Sequence, residues 1–186
     1  FRTCFIDPFQ GRVMARFGFE HLKAKTAAVL INADNKYSEG LAENFVRNYK
    51  TQGGKILFQE HYLDKTVDFI FLINKIKAFR PQVVFVPGYR KDSAYIIKQA
   101  RDNGISTTFI GGDGWSNRMY EVVGDVIEGN YYSTHWHPDS PGSKSRQFVE
   151  KYKNRFEKLD YRYALNHDCV SLVLDAMRRA RSFDPT

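Results

Sequence analysis

Four residues in this chain combine side-chain types and positions suited to holding a small cation with an apolar body: Tyr37, Tyr89, Asp113 and Trp115. Each lies just beyond an apolar run, in Ala33-Asp34-Asn35-Lys36-Tyr37-Ser38, Pro87-Gly88-Tyr89-Arg90 and Gly111-Gly112-Asp113-Gly114-Trp115. A carboxylate accepts hydrogen bonds from an ammonium group, while phenol and indole faces add cation–π attraction and apolar contact area. Taken singly, a loop tyrosine reads as surface, and an aspartate between glycines reads as a turn held by its own backbone bonds. The joint placement is what favours a ligand.

Other chemistries lack their parts. No G-x-G-x-x-G follows the first core strand and no phosphate-loop lysine motif occurs, so neither familiar nucleotide cradle is present. His135 and His137 alternate along an extended segment, but no Cys, Asp or Glu at ligand spacing completes a metal set. Ser38 and Ser116 lack the elbow and base that a nucleophile needs. Cys4, on an entering strand, and Cys169, within a helix, read as packed thiols. These observations predict no catalytic residue, no metal and no cofactor.

The elements that must position the four residues follow from periodicity. Strands are predicted at Thr26 to Asn32, Lys55 to His61, Gln82 to Val86, Thr107 to Ile110 and Asn130 to His135. Helices are predicted between them at Ser38 to Gln52, Val67 to Phe79, Ser93 to Asn103 and around Asn117 to Val123, with Gly53-Gly54, Gly104 and Pro81 as punctuation. Strand–helix alternation at this spacing predicts an α/β fold, an open and mostly parallel doubly wound sheet. In such sheets ligands bind beyond the carboxyl ends of the strands. With the first strand flanked by the second and third, Tyr37, Tyr89, Asp113 and Trp115 converge on one cleft.

Extra segments flank this repeat. A short extended piece, Thr3 to Ile6, and a helix, Gln10 to His21, precede the first core strand. Two terminal helices, Ser143 to Lys158 and about Ala164 to Ser182, follow the last one with no further strand. The final helix carries a broad apolar face of Leu165, Cys169, Val170, Leu172, Val173, Ala176, Met177 and Ala180.

Composition sets the class. The chain has 186 residues, 42% hydrophobic and 26% charged, which suits one domain with a real core and argues against disorder. No apolar run approaches the roughly 20 residues of a membrane helix. The net charge of +7 comes from 28 basic and 21 acidic residues that interleave along the helices, so solvated faces explain it and no nucleic-acid partner is expected. The chain starts at Phe1 with no methionine, basic leader or signal-peptide core, which suggests an excised piece.

The segments Phe1-Arg2-Thr3 through Asp7-Pro8-Phe9-Gln10-Gly11, Asp34-Asn35-Lys36-Tyr37-Ser38-Glu39-Gly40-Leu41, Pro87-Gly88-Tyr89 and Gly111-Gly112-Asp113-Gly114-Trp115 carry a resemblance along essentially the whole chain. It resembles the branched-chain-amino-acid class of periplasmic substrate-binding proteins of ABC transporters, which have the type I periplasmic-binding fold. The resemblance implies the second of two lobes: residues 1–163 as the ligand-binding α/β domain with its entering crossover, and 164–186 as a helix returning to a first lobe. It places Asp113 where the family puts the acceptor for the ligand ammonium, often a glutamate. Tyr37 and Tyr89 match its ligand-contacting tyrosines, and Trp115 and Gln10 lie near the same site. The implied function is extracytoplasmic capture of an amino acid or similar small polar ligand for a membrane permease, in the periplasm or at the cell surface. Alternatives are a ligand-sensing regulatory or receptor domain of the same fold, and an enzyme on a flavodoxin-like sheet. A fragment whose terminal helix lacks its cover is expected to self-associate.

Overall fold

The computed structural model describes residues 3–156 and 159–181. They fall into two compact units, Ile6–Ser133 and the described part of Phe1–Phe5 with Thr134–Thr186.

The larger unit is built on five parallel strands, β1 (Thr26–Asn32), β2 (Lys55–Tyr62), β3 (Val83–Val86), β4 (Thr108–Gly111) and β5 (Tyr131–Tyr132). Their order is β2-β1-β3-β4-β5, so β1 lies between the second and third strands as expected. Alternate residues of the central strands face opposite ways. Ala28, Leu30, Val84, Val86 and Phe109 bury one sheet face against α3 (Ile70–Phe79) and α4 (Arg90–Asp102). Ala27, Val29, Ile31, Val83, Phe85 and Ile110 bury the other face against α1 (Asp7–Arg16) and α2 (Lys36–Thr51). With both faces covered, the strands read as near-continuous apolar runs, the pattern of a parallel sheet.

Helix ends follow local chemistry. Pro8 sits at the start of α1, where a missing N–H costs nothing. The Asn35 side chain accepts from the Tyr37 amide and caps α2. Beyond α1 the helix widens into a π turn at Phe17–His21. The expected helix from Val67 begins only at Ile70, because the Gln99 side chain accepts from Phe69 N and donates to Val67 O, taking the bonds a first turn would use. The segment around Asn117 to Val123 is a 3-10 turn followed by α5 (Tyr120–Val123).

Two expected strands differ. Asn130 to His135 shrinks to Tyr131–Tyr132, because its partner β4 ends at Gly111 and offers one last bond, from Ser133 N to Gly111 O. Thr3 to Ile6 forms no strand, since among the described residues no strand pairs with it.

The smaller unit contains α6 (Ser143–Tyr152) and α7 (Tyr161–Ala180). The expected ends of both helices, Lys158 and Ser182, lie outside the described residues. Asp160 caps α7 by accepting from Arg162 N. Rings from the two helices meet, with Phe148 edge-on to His167 and Tyr152 likewise. Much of the apolar face of α7 is solvent-facing, with Val170, Leu172, Val173 and Leu174 all exposed. Cys4 and Cys169 are exposed free thiols rather than packed ones, because neither lies on a covered face.

Candidate ligand-binding site

The loops after β1, β3 and β4 leave the same sheet edge, and they bring three of the sequence-predicted residues together. Tyr37 stands in the first turn of α2, Tyr89 immediately precedes α4, and Asp113 follows β4. The Tyr37 hydroxyl donates to Asp113 Oδ1 at 2.8 Å and accepts from the Gly114 amide at 2.9 Å. The Tyr37 and Tyr89 rings are stacked, with centroids 5.4 Å apart and planes 11° from parallel. Tyr89 is 52% exposed, so the outer face of this pair is open to a ligand.

Gln10 reaches the same spot from α1. It is buried, and its amide oxygen lies 3.4 Å from the Tyr37 hydroxyl. Gly112 makes this convergence possible: a Cβ there would sit 2.5 Å from Tyr37 Oη and 2.6 Å from Gln10 Oε1, too close for any side chain. Burial, with Asp113 beside it, holds the Tyr37 hydroxyl well above the ordinary tyrosine range. Tyr37 is therefore a neutral donor at physiological pH. It holds one oxygen of Asp113.

Trp115 is placed elsewhere. At 2% exposure it belongs to the core on the α4 side of the sheet, and its indole N–H donates to Val86 O at 3.1 Å. With Met119 and Tyr132 it lines a cavity of about 350 Å³ near the sheet's edge strand β5. Its contribution to the loop is structural, since the turn from Gly112 O to Trp115 N at 3.1 Å presents Asp113.

A polar network at the neighbouring strand ends was not foreseen. Asn32, the last residue of β1, donates through its amide to Asp64 Oδ1 at 2.6 Å and accepts from Asp34 N at 3.0 Å, while Asp34 Oδ2 accepts from Asp64 N at 2.9 Å. Ser38 Oγ closes the β1 end by accepting from Asn32 N. Beside it, the Tyr62 hydroxyl donates to Asp92 Oδ2. A polar residue closing a buried apolar strand was the available signal for Asn32. Tyr62 and Asp92 gave none, one lying at a strand end and the other in a helix's first turn. Among the described residues no group of His, Cys, Asp and Glu could hold a metal ion.

The fold recurs among known proteins. The family described as periplasmic binding protein matches residues 1–186. A "Leu/Ile/Val-binding protein homolog 1" of Brucella suis is 29% identical over 187 aligned positions, covering all of this chain and 50% of that protein. The leucine-, isoleucine-, valine-, threonine- and alanine-binding protein of Pseudomonas aeruginosa is 27% identical with the same coverage. Among solved structures, a leucine-binding protein from Thermotoga maritima superimposes with a TM-score of 0.92 at 34% identity, over 98% of this chain and 53% of that one. The chain thus spans about half the length of the relatives it matches.

Proposed function

Because the chain belongs to the periplasmic binding protein family, we propose that it forms the ligand-closing lobe of an extracytoplasmic solute-binding protein. The protein captures an amino acid, or a similar small polar amine, and presents it to the permease of an ABC transporter. Residues 1–163 act as the second lobe, and the segment 164–186 returns to the first. Capture proceeds by closure of two lobes around the ligand. No bond is made or broken, and no cofactor takes part.

One observation carries the reading: an acceptor carboxylate, Asp113, is held by Tyr37 beside an open aromatic wall of Tyr37 and Tyr89. The ligand ammonium donates to Asp113, and its carbon skeleton lies along the phenol faces, where burial and cation–π attraction act together. Gln10 steadies Tyr37 from behind. The ligand carboxylate falls to the other lobe. The short aspartate, where the family often has glutamate, leaves room for a water or draws the ammonium deeper.

The uncovered apolar face of α7 and the groove it forms with α6, lined by Phe148, Tyr152, Tyr163, Val170 and Leu174, support self-association of the isolated chain.

Calorimetric titration of the full-length protein tests the ligand class. Leucine or isoleucine should bind, and the matching acids lacking the α-amino group should bind at least about tenfold more weakly, the scale of one charge-assisted hydrogen bond. Equal affinity for the deaminated acids would overturn the role given to Asp113.

A further inference from the structure

The Tyr62–Asp92 pair lies outside the proposed ligand wall, yet it is packed directly under it. Tyr62 closes β2 at 5% exposure, and its hydroxyl donates to Asp92 in the first turn of α4. Between the pair and the wall runs the Gly88 backbone: a Cβ on Gly88 would overlap Tyr62 Oη and Asp92 Oδ2. The next residue is Tyr89, whose extended backbone leads into α4. The height of the pair thus sets where the Gly88–Tyr89 peptide rests.

The pair is costly to keep. No lysine, arginine or histidine faces Asp92 in an ion pair among the described residues. Burial raises its pKa despite the opposing hydrogen bonds from Tyr62 and nearby backbone amides. A carboxylate that is desolvated without a cation lowers stability, and an amide of the same shape would accept the Tyr62 proton at less cost. Ser93, the next residue, buries a hydroxyl with no hydrogen-bond partner among the described residues. Two unfavourable polar groups therefore share the helical turn that carries Tyr89, the kind of local cost that structures concentrate at functional sites.

We propose that Tyr62 and Asp92 are positioning residues: their hydrogen bond sets the Gly88–Tyr89 backbone, and through it the stacking of Tyr89 on Tyr37 that forms the ligand wall. The proposal rests on the reading of that wall given above. Tyr62→Phe and Asp92→Asn in the full-length protein separate positioning from mere support. Asp92→Asn keeps an acceptor for the Tyr62 hydroxyl, so at neutral pH it should hold or raise the melting temperature and keep leucine affinity. Tyr62→Phe removes the hydrogen bond and should lower leucine affinity about fivefold, a modest hydrogen-bond effect. In the Tyr62→Phe background, Tyr89→Ala should cost clearly less affinity than it does alone, because the ring is already misplaced. Unchanged affinity in Tyr62→Phe, or full additivity of Tyr62→Phe and Tyr89→Ala, would overturn the proposal.

A ligand-free measurement keeps this test apart from the ligand assignment. In Tyr62→Phe, amide hydrogen exchange over residues 88–93 should quicken relative to the rest of α4. Unchanged exchange there would overturn the positioning role. Absence of leucine binding by the unmodified protein, with quickened exchange in Tyr62→Phe, would overturn the ligand class alone and support the pair as the support of this loop.

Discussion

The Tyr37 hydroxyl donates to Asp113 Oδ1 at 2.8 Å across 76 residues of sequence. This bond narrows the orientations open to a carboxylate on a glycine-flanked loop, and a group ordered in advance costs less to order on binding.

Asp113→Asn in the full-length protein should weaken amino-acid binding by about 1.5–3 kcal/mol, the scale of a hydrogen bond to a charged group. Tyr37→Phe should weaken it less, because the carboxylate stays while its orientation is released. Calorimetry giving unchanged affinity for Asp113→Asn would remove that residue from the site.

Tyr89→Ala should cost affinity without costing much stability, since the ring is half exposed and stacks on Tyr37 at the surface. An aromatic contact of this type is worth about 0.5–1.5 kcal/mol beyond its area. A loss of stability as large as the loss of affinity would show that Tyr89 serves the fold instead.

Alkaline pH should unfold the protein early. Tyr49 is fully buried, its hydroxyl donates to Ala24 O at 2.8 Å, and burial pushes its pKa up to about 12. In the unfolded chain it ionises at about 10. The native state therefore holds the proton longer, so this contribution to stability is whole below about pH 10 and is lost as pH climbs toward the folded value. Burial shifts Tyr37 and Tyr62 in the same direction. Urea midpoints should fall steadily across this range and fall less in Tyr49→Phe; a flat profile would contradict the assignment.

The isolated 186-residue chain should bind leucine poorly, because a one-lobe site leaves the ligand carboxylate in water and cannot desolvate the ammonium contact by closing. It should also sediment as a dimer or larger species through α7. Micromolar affinity would contradict two-lobe capture, and a monodisperse monomer at about ten micromolar would contradict the exposed-patch argument.

How much of this was legible depends on the kind of signal. The sheet was, because Thr26–Asn32 and Val83–Val86 are apolar runs set between helices of clear period, and such units cross over with a right-handed turn. Tyr37, Tyr89 and Asp113 were, because strand ends in parallel sheets converge by topology. Trp115 was misjudged for a reason of size: an indole two residues past a cleft carboxylate can turn inward under Gly111, and nothing in the spacing reveals which way it turns. Tyr62 and Asp92 were invisible because their meaning lies in a contact between a strand end and a helix start 30 residues apart. The start of α3 was missed for a similar reason, since a distant Gln99 side chain takes the place of backbone bonds.

The buried indole of Trp115 also makes the molecule its own optical reporter. The chain has two tryptophans. Trp136 lies in the smaller unit with its N–H on Ser145 Oγ, whereas Trp115 is sealed in an apolar setting two residues from Asp113. A charge arriving at that carboxylate alters the electric field across the Trp115 ring system, so its emission maximum and intensity carry the signal of occupancy without any attached dye. A Trp136→Phe background isolates that signal to one chromophore at the root of the Gly111–Gly114 loop.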